Sequence, residues 1–469
     1  MPGYNEFTSL PIFKDIQKII KKGKKPVVPS YEAILHTSKK DIPVFKIVSV
    51  DTIRNYRTSI SDEIHVVLYL PLKEYSRDIY PFADNLELTF KITEYPLSPY
   101  TEETTKDTYT ERFKAILKDK QNANTVNLGI EKYGEKDLSV AGFIEVRMQL
   151  VTRVLEPLRI KQISGTFTNI TPKDLLETIL YTQSNMIKVD GKPLLPGIDI
   201  VEPNNTEKQK NIIIPTGTNV IDIPDLAQNE YCGVYSTGLG SYIQKFNDDY
   251  TWFVFSLYDH TRFDKHKDKK IIFYTTDKSV LPGSEVTYRE EGNTMYVMIT
   301  GKTQYHNPLE NEYMDTGVGF RLPHAKSFMK KPVKLTKEGV EAKNSRLSHD
   351  VIMKDRQDNL NYAPRGKDYI SANPYKAYSE MARKNVAQIT LEWNHSKYDA
   401  IYPGMPCKYT YVDNGETKTL TGIILHTHTL ISLKGNPTSS NTYSINTVVT
   451  IAADRETKNF KGVKDAEEA

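Results

Sequence analysis

Apolar and polar residues alternate with period two at both ends of the chain. In Leu86-Glu-Leu-Thr-Phe-Lys-Ile92 the apolar set is Leu86, Leu88, Phe90 and Ile92, and the polar set is Glu87, Thr89 and Lys91. Ile64–Leu70 and Phe143–Val151 repeat the pattern. Such strands have one dry and one wet face, as in a barrel or sandwich. Between them Pro96–Lys136 is polar and reads as an insertion, with a short helix predicted over Glu111–Lys118. Ahead of this region Phe13, Ile16, Ile19 and Ile20 fall at helical spacing. Ser9–Gly23 is therefore predicted as a helix that Ser9 caps and Gly23 stops, followed by a stiff Pro26/Pro29 connector. A detached amphipathic arm must bury its stripe on its own domain or on another subunit.

The middle of the chain changes period. Thr171 is an N-cap, Pro172 sits at N1 and Asp174 takes the acid position of a capping box; Leu175, Leu176, Ile179 and Leu180 form one stripe. A short helix near Asp225–Cys232 closes at Gly233, and Trp252–Leu257 is apolar on both faces, so it should be buried. Ile271–Tyr274 and Met295–Ile299 read as short strands. Gly301–Asn385 then runs irregular and polar, and β-patterning returns in Ile389–Trp393, Pro406–Asp413, Lys418–Leu430 and Tyr443–Ala452. Asn414-Gly415 between two of these is a strong hairpin signal.

The chain is therefore read as β-rich α+β and multidomain, with two β-barrel or sandwich domains flanking a mixed α/β middle region. The expected limits are 1–28 for a helical arm and linker, 29–154 for the first β-domain with its insertion near 96–136, and 155–270 for the middle. The second β-domain takes 271–453 with a long insertion near 301–385, and 454–469 forms a charged tail.

Composition narrows the function. The 469 residues exceed what one compact core holds. Basic and acidic residues number 62 and 59, a near-balance that lacks the footprint of a dedicated nucleic-acid binder. Tyr is abundant at 30 residues, a side chain suited to half-wet strands and subunit interfaces. Two cysteines far apart exclude a disulfide framework and point to folding in a reducing compartment. No apolar run is long enough to span a bilayer, so no membrane anchor is expected.

Candidate chemistry is thin. Thr300-Gly-Lys-Thr303 imitates the end of a phosphate loop, but the position needing the first Gly is Tyr296. Ser348-His-Asp350 has triad residue types as immediate neighbours, which cannot adopt triad geometry. His426 and His428 lie two apart on a strand, so both imidazoles could reach one metal if His395 or Asp399 joined them. A pair on a wet face is the preferred reading. Cys232 beside Gly233 reads as a packed thiol. No catalytic residue, metal or cofactor is expected.

Three segments, in order, carry a resemblance. Phe167–Gln183 runs a strand into a Thr-Pro-x-Asp-Leu-Leu helix. Ile212–Phe255 holds Ile223-Pro-Asp-Leu226, the turn Tyr231-Cys-Gly-Val-Tyr235 and an aromatic strand. Ile389–Leu430 holds Leu391-x-Trp393, Ile401-Tyr-Pro-Gly-Met405, Tyr409-x-Tyr411 and Gly422. Together they cover about a third of the chain and resemble the baseplate hub proteins of contractile-tailed bacteriophages. The N-terminal helix and the two insertions depart from the usual compact hub.

The resemblance implies two tail-tube-like domains per chain and a homotrimer, so that six modules ring one channel and join a six-fold tail tube to a three-fold central spike. It implies as partners the tail tube or tube-initiator proteins, the spike, other baseplate proteins and passing DNA in transient, non-specific contact. The chain would reside in the virion tail baseplate and assemble in the host cytoplasm. Asn414, Gly415, Lys418, His426 and His428 would belong to an assembly interface or the channel wall. The competing readings are a tail-associated cell-wall hydrolase, another tube-like component of a contractile injection machine, and a monomeric β-rich binding module.

Overall fold

A computed structural model describes residues 10–23, 27–96, 108–118, 142–189, 192–193, 195, 197–246, 249–265, 269–276, 287–306, 340–344, 349–353, 373, 375–384, 386–413, 415–435 and 442–454. Helix α1 (Pro11–Lys22) precedes the strands β1 (Val27–His36), β2 (Asp41–Pro43), β3 (Lys46–Arg54), β4 (Glu63–Pro71), β5 (Leu86–Pro96), β6 (Thr108–Leu117) and β7 (Phe143–Thr152). The middle region holds β8 (Gln162–Ile170), α2 (Pro172–Met186), β9 (Lys188–Val189), β10 (Lys192–Pro193), β11 (Gly197–Ile200), β12 (Gln209–Asn219), β13 (Leu239–Phe246) and β14 (Asp249–Ser256). Then come β15 (Lys270–Thr275), β16 (Tyr288–Glu291), β17 (Thr294–Ile299), β18 (Thr303–His306), β19 (Val340–Asn344), β20 (His349–Met353) and α3 (Tyr375–Lys384). The chain ends in β21 (Ala387–Asn394), β22 (Pro406–Asp413), β23 (Glu416–Lys434) and β24 (Thr442–Ala453).

Fifteen strands share one hydrogen-bonded ladder. It runs β2-β1-β5-β6-β7-β4-β3-β23-β22-β15-β17-β16, and β24, β21 and β18 branch from β23. The ladder stays open: β1 and β24 meet through the edge-on rings of Tyr31 and Tyr443 at 4.6 Å, without backbone pairing between these two strands. The alternating patterns of β4, β5 and β7 account for the first core, where Val66, Leu68, Leu88, Phe90 and Met148 are buried. A second core gathers Ile271, Phe273, Val297, Leu391 and Trp393.

Both cores draw on the same terminal hairpin. One face of β24 carries Tyr443 and Ile445 into the first core, then Thr447, then Val449 and Ile451 into the second. Strand β23 matches it with Ile431 in the first core and Ile424 in the second. A register shift between Ile424 and His426 separates the part of this long strand that serves the second core from the part that serves the first. Its first half pairs with β22 and its second half with β3.

The middle region packs α2 through Leu175, Leu176, Ile179 and Leu180 against Ile212, Ile214, Trp252 and Val254. The predicted cap is present, with the Asp174 N–H donating to Thr171 Oγ1 at 3.2 Å. Two expectations change. Glu111–Lys118 is not a helix: its residues up to Leu117 belong to β6, because Glu111, Phe113, Ala115 and Leu117 alternate inward between β5 and β7. The excursion near 301–385 is not uniformly irregular. It contains β18, a β19–β20 hairpin and α3, whose Tyr378 and Ala382 are buried, Ala382 against Phe255 and Leu425. Gly233, at φ +72°, leaves the room that the Tyr375 ring fills. Of the two places open to the arm's stripe, α1 takes the one on its own chain, with Ile12, Ile16 and Ile19 against Tyr274 and Met298. Its proposed cap, Ser9, falls outside the described residues.

Candidate functional site: the seam between the two β-modules

Where the two cores meet, the inner face of the shared hairpin turns polar. Thr427, Thr429 and Thr447 occupy the crossing positions, and Thr447 Oγ1 is hydrogen-bonded to Ser396 Oγ at 2.7 Å and Thr429 Oγ1 at 3.1 Å. Beside this belt Arg54, the last residue of β3, is almost wholly buried. Its Nε donates to Asp62 at 2.9 Å, Nη2 to Asp399 at 2.5 Å and Nη1 to the Ile401 carbonyl at 3.2 Å. Its guanidinium lies 4.5 Å from the Tyr402 ring centroid. Burial opposes the charge on Arg54, but Asp62 and Asp399 outweigh it and hold its pKa well above the usual value. The planar fork of arginine lets one side chain tie the 55–62 loop to the 395–402 loop.

Tyrosines extend the network into the middle region. Tyr56 donates to Asp62 and stacks on Tyr242 of β13 at 4.0 Å. Tyr398 meets Tyr109 edge-on at 5.5 Å. Glu111 of β6 accepts from Tyr109 and, at 2.9 Å, from Tyr250 of β14. Burial pushes the Glu111 carboxyl up to about 7, against those two hydrogen bonds. The seam thus fixes three regions relative to one another, and what it does chemically is hold.

The described residues singled out from sequence lie away from the seam: His426 and His428 on the outer side of β23, Gly415 at the β22–β23 turn, and Lys418 beside it on the face that Leu420 continues into the second core. Gly415 turns at φ +80°, and Lys418 pairs with Asp413 across the turn at 2.5 Å; Asn414 falls outside the described residues. His426 and His428 sit past the register shift. His428 Nε2 contacts Asp51 at 2.5 Å, and Asp51 stands opposite His65, whose Nε2 contacts Glu63 at 2.7 Å. Burial, and then His428, lower the pKa of His426. Asp399 does not join the histidines, because it is held by Arg54 on the other side of the sheet. Among the described residues no group of three or more His, Cys, Asp or Glu could hold a metal ion. Burial pushes the Cys232 thiol up to about 12 and Cys407 higher still, so neither is poised as a nucleophile.

Sequence reasoning missed Arg54, Asp62 and Glu111, and it weighed Asp399 only as a metal ligand, whereas it pairs with Arg54. The available signals were an Arg and a Glu each standing at an inward position of an otherwise alternating strand.

No family model matches the chain, and no curated protein matches it. Tail and secretion-system proteins are among the solved structures similar to it. A tail protein from Neisseria meningitidis MC58 is 10% identical with a TM-score of 0.43, covering 90% of this chain and 96% of that one. The 43 kDa tail protein of prophage MuSo2 from Shewanella oneidensis is 9% identical with a TM-score of 0.40, covering 90% and 98%. An Escherichia coli type VI secretion component, described as similar to T4 bacteriophage tail proteins, is 8% identical with a TM-score of 0.39, covering 90% and 77%.

Proposed function

We propose that this chain is a structural baseplate protein that forms a homotrimeric hub, joining a six-fold tail tube to a three-fold spike around a channel for DNA. In this reading 29–154 and 271–453 are the two tube-like modules and 155–270 the region between them. The observation that carries it is the shared β23–β24 hairpin. It fuses two β-cores within one chain, so three chains supply six modules in a fixed mutual orientation. A heterologous ring closes only if that orientation is held, and the Arg54 seam holds it.

The outer face of the first module suits a conduit or a wet interface. Its charges are mutually neutralised: Arg112 with Glu87 at 2.5 Å, Lys91 with Glu32 at 3.1 Å and Arg147 with Glu145 at 3.3 Å. A wall of paired charges retains little phosphate, so DNA slides past it. His426 and His428 belong to this wall or to a subunit contact, and Gly415 and Lys418, with Asn414 at the adjoining turn, belong to an assembly contact or to the channel wall beside the second module. Tail-tube, spike and other baseplate proteins are the partners, and the virion tail is the location.

Light scattering on the full chain, alone and mixed with candidate spike and tube proteins, tests this. The expected mass is three times the 53.6 kDa chain, with a ring in negative stain. A monomer under every condition, or turnover of cell-wall polymer by the purified chain, overturns the proposal.

A further inference from the structure

We propose that Glu111 is a proton-operated latch that docks the β13–β14 hairpin of the middle region onto the first β-module. Its place argues this first. Glu111 is 6% exposed and lies on the inner face of β6, where an apolar side chain would continue the series Phe113, Ala115 and Leu117. Its two oxygens accept from Tyr109 on its own strand and from Tyr250 on β14, so the carboxyl bridges two regions. Among the described residues no cation stands within ion-pair distance of it. A buried carboxyl lacking such a partner is costly as an anion and tolerable once protonated.

The neighbouring charges follow the same logic. On β13, Lys245 donates to the Thr110 carbonyl at 3.1 Å and attracts the Glu111 anion from outside hydrogen-bond reach. Asp62, on the loop before β4, repels it. Asp399 and Tyr398 face its partner Tyr109, Arg153 faces its partner Tyr250, and Arg54 is taken up by Asp62 and Asp399. Burial dominates the balance and raises the carboxyl from 4.5 to about 7.

The sign follows from linkage. The docked hairpin binds the proton more tightly than an undocked one, where Glu111 meets water. Docking is therefore fully favoured below about 4.5 and weakens as pH rises through about 7. Between pH 6 and pH 8 the docking equilibrium should fall about tenfold. The latch is independent of the role proposed above, because it concerns one chain.

Hydrogen exchange on the full chain, corrected for the intrinsic pH dependence of exchange, tests it. In the wild type, protection over residues 239–256 should drop about tenfold from pH 6 to pH 8, while protection in β21 and β24 holds. Glu111→Gln, which keeps an acceptor for a tyrosine and cannot ionise, should abolish the drop. Equal pH dependence in wild type and variant overturns the latch. So does a wild-type drop that is absent, or one spread evenly over the molecule, and these two outcomes decide the matter even if the variant does not fold.

Discussion

The two β-modules treat the same side of their sheet differently. Over β15, β17 and β22 the outer face carries Ile272, Tyr274, Tyr296, Met298 and Val412, and α1 seals it with Ile12, Ile16 and Ile19. Over β5, β6 and β7 that face carries Glu87, Lys91, Arg112 and Arg147 in ion pairs, and beside them Ile116 stands exposed. Hence β15 reads Ile271-Ile272-Phe273-Tyr274, apolar on both sides, whereas β5 alternates. A doubly apolar strand is a strand covered twice. The comparison teaches that only one of two similar walls keeps a wet outer surface, and that wall continues across β3 onto the part of β23 bearing His428.

Breaking the seam between these walls should have the largest effect. Arg54→Leu strands Asp62 and Asp399 without their cation and should cost about 3–5 kcal/mol in urea unfolding. A loss under about 1 kcal/mol would mean that the seam does not fix the modules.

The sealed and wet faces can then be set against each other. Ile16→Ala removes a fully buried side chain under α1 and should cost about 2–4 kcal/mol. Leu430→Ala, on the wet side of β23 and 41% exposed, should cost less than about 0.5 kcal/mol. Equal losses would erase the distinction between the faces.

The smallest effect belongs to His426. Its folded pKa is depressed, so the unfolded chain takes the proton first, and stability present above about 6.5 is lost as pH falls. Unfolding curves at pH 8 and pH 5 should show His426→Gln losing less stability on acidification than the wild type. The sign is opposite to that of Glu111, whose contribution fades as pH rises.

Much of the fold was legible because strand alternation and caps are local. Thr171, Pro172 and Asp174 announce α2, and Asn414-Gly415 announces the β22–β23 turn that Gly415 makes at φ +80°. The β6 strand was misread because its alternation is interrupted by Glu111, whose inward carboxyl makes sense only beside Tyr250, 139 residues away. The seam was invisible for the same reason: Arg54 meets Asp399 across 345 positions, and no local pattern encodes that meeting. The site residues read from the sequence lie along one hairpin, since turn chemistry and paired histidines are features a single strand can display.

The shared hairpin also orders events during synthesis. Ile431, Tyr443 and Ile445 complete a core whose other walls were translated hundreds of residues earlier. A nascent chain therefore carries an unfinished first core, with one edge of β3 unpaired, until β23 and β24 have been made. Chains cut short before β23 lack both halves of the closing piece and leave the first core open.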